Sequence, residues 1–174
     1  MSECVVRAYL GIGGNLGRVR ETFSGALAAL QQTDGVSVTR VSPLYETPPV
    51  GGPKTQPPFL NAVIEVETGL GARALLRRQL QIESYFARIR TIRWGPRTLD
   101  LDLLLHGPAE RIADPPELVV PHPRLARRAF VLVPLAELAP SMIVPGIERS
   151  VKALCDALPA SERAQIRLIS PTWT

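Results

Sequence analysis

Cysteine is scarce in this chain. Cys4 and Cys155 are the two among 174 residues, and they form no Cys-x-x-Cys pair. That argues against a cysteine-built zinc site and a disulfide scaffold, and it suits a reducing compartment. Long apolar runs are missing too: nothing reaches the roughly 18 residues of a membrane span. Met1 to Arg7 has no basic stretch followed by a long apolar one, so no signal peptide is expected and the expected location is the cytoplasm. No Gly-x-x-x-x-Gly-Lys-Ser/Thr loop occurs, which excludes a P-loop nucleotide site. Gly11-x-Gly13 follows an apolar run, but Leu16 stands where a dinucleotide fingerprint needs its third glycine, so it reads as a tight turn. Internal repeats and low-complexity tracts are absent.

What is present is an ordinary globular composition. Hydrophobic residues make up 45% of the chain, enough for a core, and the length suits one domain over residues 1–174. The core is expected at about 5–150, with a tail at 151–174. The net charge of +4 is a mild basic bias, compatible with nucleic acid, a nucleotide or another phosphorylated ligand.

Apolar periodicity gives the order of elements. Val5 to Ile12 reads as a strand, Arg20 to Gln32 as a helix with Phe23, Ala26, Leu27 and Leu30 on one side, and Val36 to Val41 as a half-buried strand. Thr47 to Pro58 holds five prolines and two glycines and is an irregular loop, of a length that more often serves function than not. Leu60 to Glu67 reads as a strand, Ala72 to Phe86 as a helix, Arg88 to Arg97 as a basic loop and Thr98 to Leu105 as the clearest strand. Beyond Gly107-Pro108 the pattern weakens: Val119 to Pro123 is extended, Arg124 to Ala139 holds one or two short helices interrupted at Pro134, and Val151 to Leu158 is a terminal helix. The early order, strand-helix-strand-strand-helix-strand, predicts an α+β, ferredoxin-like antiparallel sheet with helices packed on one face.

Two carboxylates stand out. Residues two apart in a strand share a face, so Asp100 and Asp102 project together and Leu99, Leu101 and Leu103 project the other way. A divalent cation relieves the repulsion between such carboxylates, and magnesium takes one or two of them plus phosphate oxygens and water. The same alternation fits a half-solvated strand with exposed aspartates. Arg88, Arg90, Arg93 and Arg97 precede the strand, and guanidinium groups match phosphate oxygens. A carboxylate pair for metal beside arginines is what phosphoryl transfer needs; a solvated basic face is the alternative. His122 is held between Pro121 and Pro123 and suits a phosphate or a base, or a structural place. His106 reads as a surface residue near a turn. Phe59 and Phe130 are two of four phenylalanines and could sandwich a flat heterocycle, or simply sit in the core. Asn61, on the strand face of Phe59, offers both donor and acceptor.

These residues carry a resemblance. Gly11-Ile12-Gly13-Gly14-Asn15-Leu16, Ser42 to Pro49, Phe59-Leu60-Asn61-Ala62, Ile82-Glu83, the run Arg93-Trp94-Gly95-Pro96-Arg97-Thr98-Leu99-Asp100-Leu101-Asp102, Val120-Pro121-His122 and Phe130 to Pro140 are similar to the 6-hydroxymethyl-7,8-dihydropterin pyrophosphokinases. The likeness runs from about Ala8 to Pro140. It implies transfer of pyrophosphate from ATP to the pterin hydroxymethyl group, releasing AMP, in folate biosynthesis. It implies two magnesium ions on Asp100 and Asp102, and Arg88 and Arg97 as further catalytic groups. Glu83, Arg88, Trp94, Arg97 and His122 would lie at ATP, and Thr47, Pro48, Phe59, Asn61, Trp94 and Phe130 at the pterin. The partners are then small molecules, with no nucleic acid and no membrane, and a monomer is expected. Gly14 stands where the family usually has serine, Ala87 where it has glycine, Phe59 where tyrosine is common, and Pro123 where some members have tyrosine. The tail beyond about Ser150 matches less and carries no assigned role. An RNA-binding ferredoxin-like module and another two-metal phosphoryl or nucleotide-sugar transferase are the rival readings; the first is disfavoured by aromatic-poor strands.

Overall fold

The structure is a computed structural model that describes residues 5–53, 55–86, 95–108, 111–114 and 117–173. Its centre is a six-stranded sheet of β1 (Val6–Gly14), β2 (Val36–Val41), β3 (Leu44–Thr47), β4 (Phe59–Thr68), β5 (Asp100–His106) and β10 (Arg167–Ser170). All pairings are antiparallel: β4 pairs with β1, β2 and β3, β1 also with β5, and β3 also with β10. β2 and β3 are one strand broken at Ser42-Pro43. Proline cannot donate to the ladder, and Ser42 bridges the break: its N–H donates to the Val63 carbonyl at 2.8 Å and its hydroxyl accepts from Val63 N at 2.9 Å. Counting β2 and β3 as one, the order across the sheet is second, third, first, fourth, which is the predicted ferredoxin-like order.

α1 (Val19–Gln31) and α2 (Ala72–Tyr85) cover one face. They turn Phe23, Ala26 and Leu30, and Ala72, Leu75 and Ile82, onto Leu10, Ile12, Ile64 and Val66 of the sheet. Spacings of three, four and seven residues put these side chains on one side of each helix. Fully burying a leucine or isoleucine contributes about 1.5–3 kcal/mol, so this layer alone accounts for much of the fold's cohesion.

The opposite face is covered as well, which corrects the one-faced expectation. α3 (Ala129–Leu138) and α4 (Val151–Asp156) bury Val131, Leu132, Leu135, Leu138 and Leu154 against Tyr9, Val63, Leu104 and Leu105. β5 serves both layers through a bulge: Leu103 pairs with Leu10 but Leu105 with Tyr9. The extra residue sends Leu101 and Leu103 to the α1–α2 side and Leu104 and Leu105 to the α3 side. A 3₁₀ turn (Leu125–Arg127) precedes α3. α3 runs unbroken through Pro134, contrary to the predicted interruption. Proline removes one intrahelical bond there, and burial of both flanks, Val131, Leu132, Leu135 and Leu138, outweighs it.

The short hairpins β6 (Ile112–Asp114) with β7 (Leu118–Val120), and β8 (Ile143–Val144) with β9 (Arg149–Ser150), complete the connections. The C-terminal segment is part of the fold. After α5 (Ala160–Arg163), β10 adds to the sheet edge, and the Trp173 indole donates to the Ser42 carbonyl at 2.7 Å while meeting Phe23 edge-on at 5.7 Å.

Candidate active site

The site forms where β1 offers no side chains. Register places Gly13 between Asn61 of β4 and Asp100 of β5, and Gly11 between Val63 and Asp102. The face these residues share with α3 therefore has a bare floor flanked by an amide on one side and two carboxylates on the other. A Cβ at 13 would lie 2.8 Å from Asn61 Oδ1, so any side chain there would displace the Asn61 amide. Phe130 and Val131 of α3 close the cleft above this floor.

Asp100 and Asp102 share a face, as their spacing predicts, and each meets an arginine. Arg97 Nη1 lies 2.6 Å from Asp100 Oδ2, and Arg128 Nη1 lies 3.7 Å from Asp102 Oδ2. Arg97 also stands over the Phe59 ring at 5.6 Å, and Arg128 over Phe130 at 5.4 Å. Carboxylate, guanidinium and aromatic face thus occur twice around one cleft, with the cation on each ring favourable by cation–π attraction. Arg128 is half-buried, and burial lowers its pKa, opposed by the charge of Asp102. Sequence reasoning did not single out Arg128; its signal was a basic pair, Arg127-Arg128, directly ahead of Phe130.

On the amide side, Asn61 Nδ2 donates to Thr47 Oγ1 at 2.7 Å, and both are buried. Thr47 pairs across with Phe59, so Thr47, Phe59 and Asn61, three of the residues expected at a flat polar ring, lie together at the β3–β4 end. Pro48 follows Thr47 at the surface. Glu83 is buried, and its Oε1 accepts from Leu101 N at 2.6 Å. That bond occupies the outer edge of β5, which has no strand partner there among the described residues, and it fixes the strand that carries both aspartates.

His122 follows a cis Val120-Pro121 bond. Arg124 N donates to its Nδ1 at 3.1 Å, which leaves the neutral ring's proton on Nε2. Burial pushes its pKa down to about 4, with Arg128 and Arg124 adding to the shift and Asp100 opposing it. The ring is neutral at pH 7 and donates only from Nε2. His106 is buried rather than at the surface, with Nε2 2.9 Å from the Leu70 carbonyl; the end of β5 tucks beneath the turn into α2. Arg88, Arg90, Arg93 and Trp94 lie outside the described residues.

Among the described residues there is no cluster of three or more His, Cys, Asp or Glu side chains fit for a metal. Two carboxylates on one face over a glycine floor still suit a hard divalent ion whose other ligands are phosphate oxygens and water, which is how magnesium is commonly held. At Gly14, where the resemblance leads to an expectation of serine, a Cβ would lie 2.5 Å from the Thr98 carbonyl. In this chain the Arg97–Thr98 segment approaches β1 more closely than a serine would allow.

A family model described as 7,8-dihydro-6-hydroxymethylpterin-pyrophosphokinase (HPPK) matches residues 9–140. The 2-amino-4-hydroxy-6-hydroxymethyldihydropteridine pyrophosphokinase of Pseudomonas aeruginosa is 45% identical over 141 residues, covering 81% of this chain and 85% of that one. The enzyme of the same name from Bacillus subtilis is 48% identical over 132 residues, covering 75% of this chain and 77% of that one. Among solved structures, Plasmodium falciparum HPPK-DHPS A437G/K540E with pterin and p-hydroxybenzoate aligns with a TM-score of 0.65 at 13% identity, which speaks for the fold alone. That alignment covers 87% of this chain and 43% of the longer one, so this chain spans less than half of that protein's length.

Proposed function

The chain belongs to the 7,8-dihydro-6-hydroxymethylpterin-pyrophosphokinase family, and on that premise we propose that it transfers the pyrophosphoryl group of ATP to the hydroxymethyl oxygen of 6-hydroxymethyl-7,8-dihydropterin, releasing AMP, as a step of folate biosynthesis. The observation that carries the reading is the pairing of Asp100 and Asp102 with Arg97 and Arg128 across a bare glycine floor from Asn61 and Thr47.

Asn61 and Thr47 read the polar edge of the pterin, beside Pro48, and Phe59 and Phe130 stack on its faces. A flat ring entering between them takes the place of the guanidinium groups now lying over the phenyl rings and frees both arginines for phosphate oxygens. Arg97 and Arg128 then neutralise charge on the transferring group, and His122 donates from Nε2 without adding charge. Arg88, Trp94 and Glu83 complete the nucleotide side. Asp100 and Asp102 would hold two magnesium ions, which would neutralise polyphosphate charge. The chain's own residues align the pterin hydroxyl for in-line attack on the β-phosphorus and exclude water that would hydrolyse ATP. The enzyme acts in the cytoplasm as a monomer; sparse cysteine supports the first, and no helix among the described residues is long and apolar enough to cross a membrane.

The test is product analysis with ATP, magnesium and the dihydropterin. AMP should form only when the pterin is present. ADP as the product, or no turnover, contradicts the reading.

A further inference from the structure

Asn15 directly follows β1 and is buried. Its one carboxamide spans two segments that sequence keeps far apart. Nδ2 donates to the Pro57 carbonyl at 2.9 Å and to Gln56 Oε1 at 3.3 Å. Oδ1 accepts from Arg97 N at 2.9 Å. The backbone repeats the second link: Asn15 N and Leu16 N both donate to the Arg97 carbonyl, at 2.9 and 3.2 Å. Gln56 carries the first link further, with Nε2 donating to the Gly51 carbonyl at 3.0 Å.

The two segments end in different parts of the site. Pro57 and Pro58 lead straight into Phe59, two residues before Asn61. Arg97 bears the guanidinium that contacts both the Phe59 ring and Asp100. The amide therefore ties the loop on the pterin side to the backbone of the arginine on the phosphate side. The job needs a donor and an acceptor on adjacent atoms, which aspartate and leucine lack. Leaving a buried member of such a set unmatched costs desolvation that no partner offsets.

We infer that Asn15 is a positioning residue that couples the two substrate sites: seating the 48–58 loop on one ligand fixes Arg97 for the other. The inference rests on the assigned reaction. Coupling of this kind is reciprocal, so each ligand strengthens the other by the same factor. An asparagine that only stabilised the turn would change melting temperature and leave that factor alone.

The experiment measures, by calorimetry, the affinity of a non-hydrolysable ATP analogue with magnesium, of the pterin, and of each in the presence of the other. In the wild type the coupling factor should be in the range of roughly 5- to 150-fold. Asn15→Asp keeps the acceptor for Arg97 N and loses the donor toward Pro57, so the factor should fall toward one while each ligand alone binds nearly as before. Gln56→Leu serves if Asn15→Asp fails to fold; it removes the bonds to Asn15 and Gly51 and should reduce the factor partway. A wild type that binds both ligands without coupling, or variants that keep the wild-type factor, overturn the coupling alone. A wild type that binds neither ligand overturns the assigned reaction and the coupling with it.

Discussion

Asp100, Asp102, Arg97 and Arg128 form two crossed pairs, and their charges explain why each is worth removing singly. Arg128 lies 3.7 Å from Asp102, beyond hydrogen-bond reach, and its proposed partner in the reaction is a phosphate oxygen, so Arg128→Ala deletes a charge-assisted bond to substrate of about 1.5–3 kcal/mol. Steady-state kcat/KM should therefore fall about 10- to 150-fold, with melting temperature little changed. His122 is set for a different measurement. Its folded pKa, about 4, lies below the ordinary 6.5, so the folded protein binds this proton less readily than the unfolded chain does. Above about pH 6.5 the group leaves stability undiminished; as pH falls toward 4 it lowers stability progressively. An NMR titration of the imidazole in the ligand-free protein should give a midpoint well under 6.5, and a midpoint at or above 6.5 would contradict the partly buried, arginine-flanked setting. Strand periodicity made the shared face of Asp100 and Asp102 legible, because that rule depends on nothing beyond two neighbours. Arg128 was legible only as half of the basic pair Arg127-Arg128: its contact with Asp102 depends on how the start of α3 returns to the sheet, which no local spacing fixes. His106 misled because a strand end beside Gly107 looks exposed until the Leu70 turn covers it.

Among elements, the tightest constraint is the approach of the Arg97–Thr98 segment to the end of β1. A serine at Gly14 must push back the Thr98 carbonyl, and overpacking of this kind costs about 1–3 kcal/mol. Gly14→Ser should lower stability by about that much in urea unfolding. It should also shift Arg97, which a rise in the KM for ATP would report. Trp173 anchors the segment that follows the C-terminal strand, which itself pairs with β3. Trp173 is 9% exposed, bonded to Ser42 and packed on Phe23. Trp173→Ala should cost about 3–5 kcal/mol, and unchanged unfolding would mean that β10 and its tail add nothing to the fold. Early helices and strands were readable because their apolar residues repeat at regular spacing over long stretches. β3, β10 and the continuity of α3 were not: four-residue strands hold too little pattern, and Pro134 is tolerated only because the second layer buries both of its flanks.

At the scale of the whole molecule, the sheet does two things at once. Its α1–α2 face is a packed core, while its α3 face is core at one end and open at the other, where Gly11 and Gly13 withhold side chains. The ferredoxin-like order follows from the run of six elements in the first hundred or so residues. The second helical layer depends on residues whose periodicity is broken by short hairpins and prolines, so it emerged only in three dimensions. A partly exposed link also joins the sheet to the end of α3: Arg40 Nη2 donates to Glu65 Oε2 at 2.6 Å and to the Leu138 carbonyl at 2.6 Å. The central claim is that the carboxylate pair over the glycine floor is the centre of pyrophosphoryl transfer. Its most direct test is a single-turnover reaction of ATP with the dihydropterin, run for the wild type, Asp100→Asn and Asp102→Asn. The wild type should form AMP and the pterin diphosphate in equal amounts. Each variant should be slower by at least about 100-fold with its melting temperature preserved. Near-normal turnover by either folded variant would contradict the account.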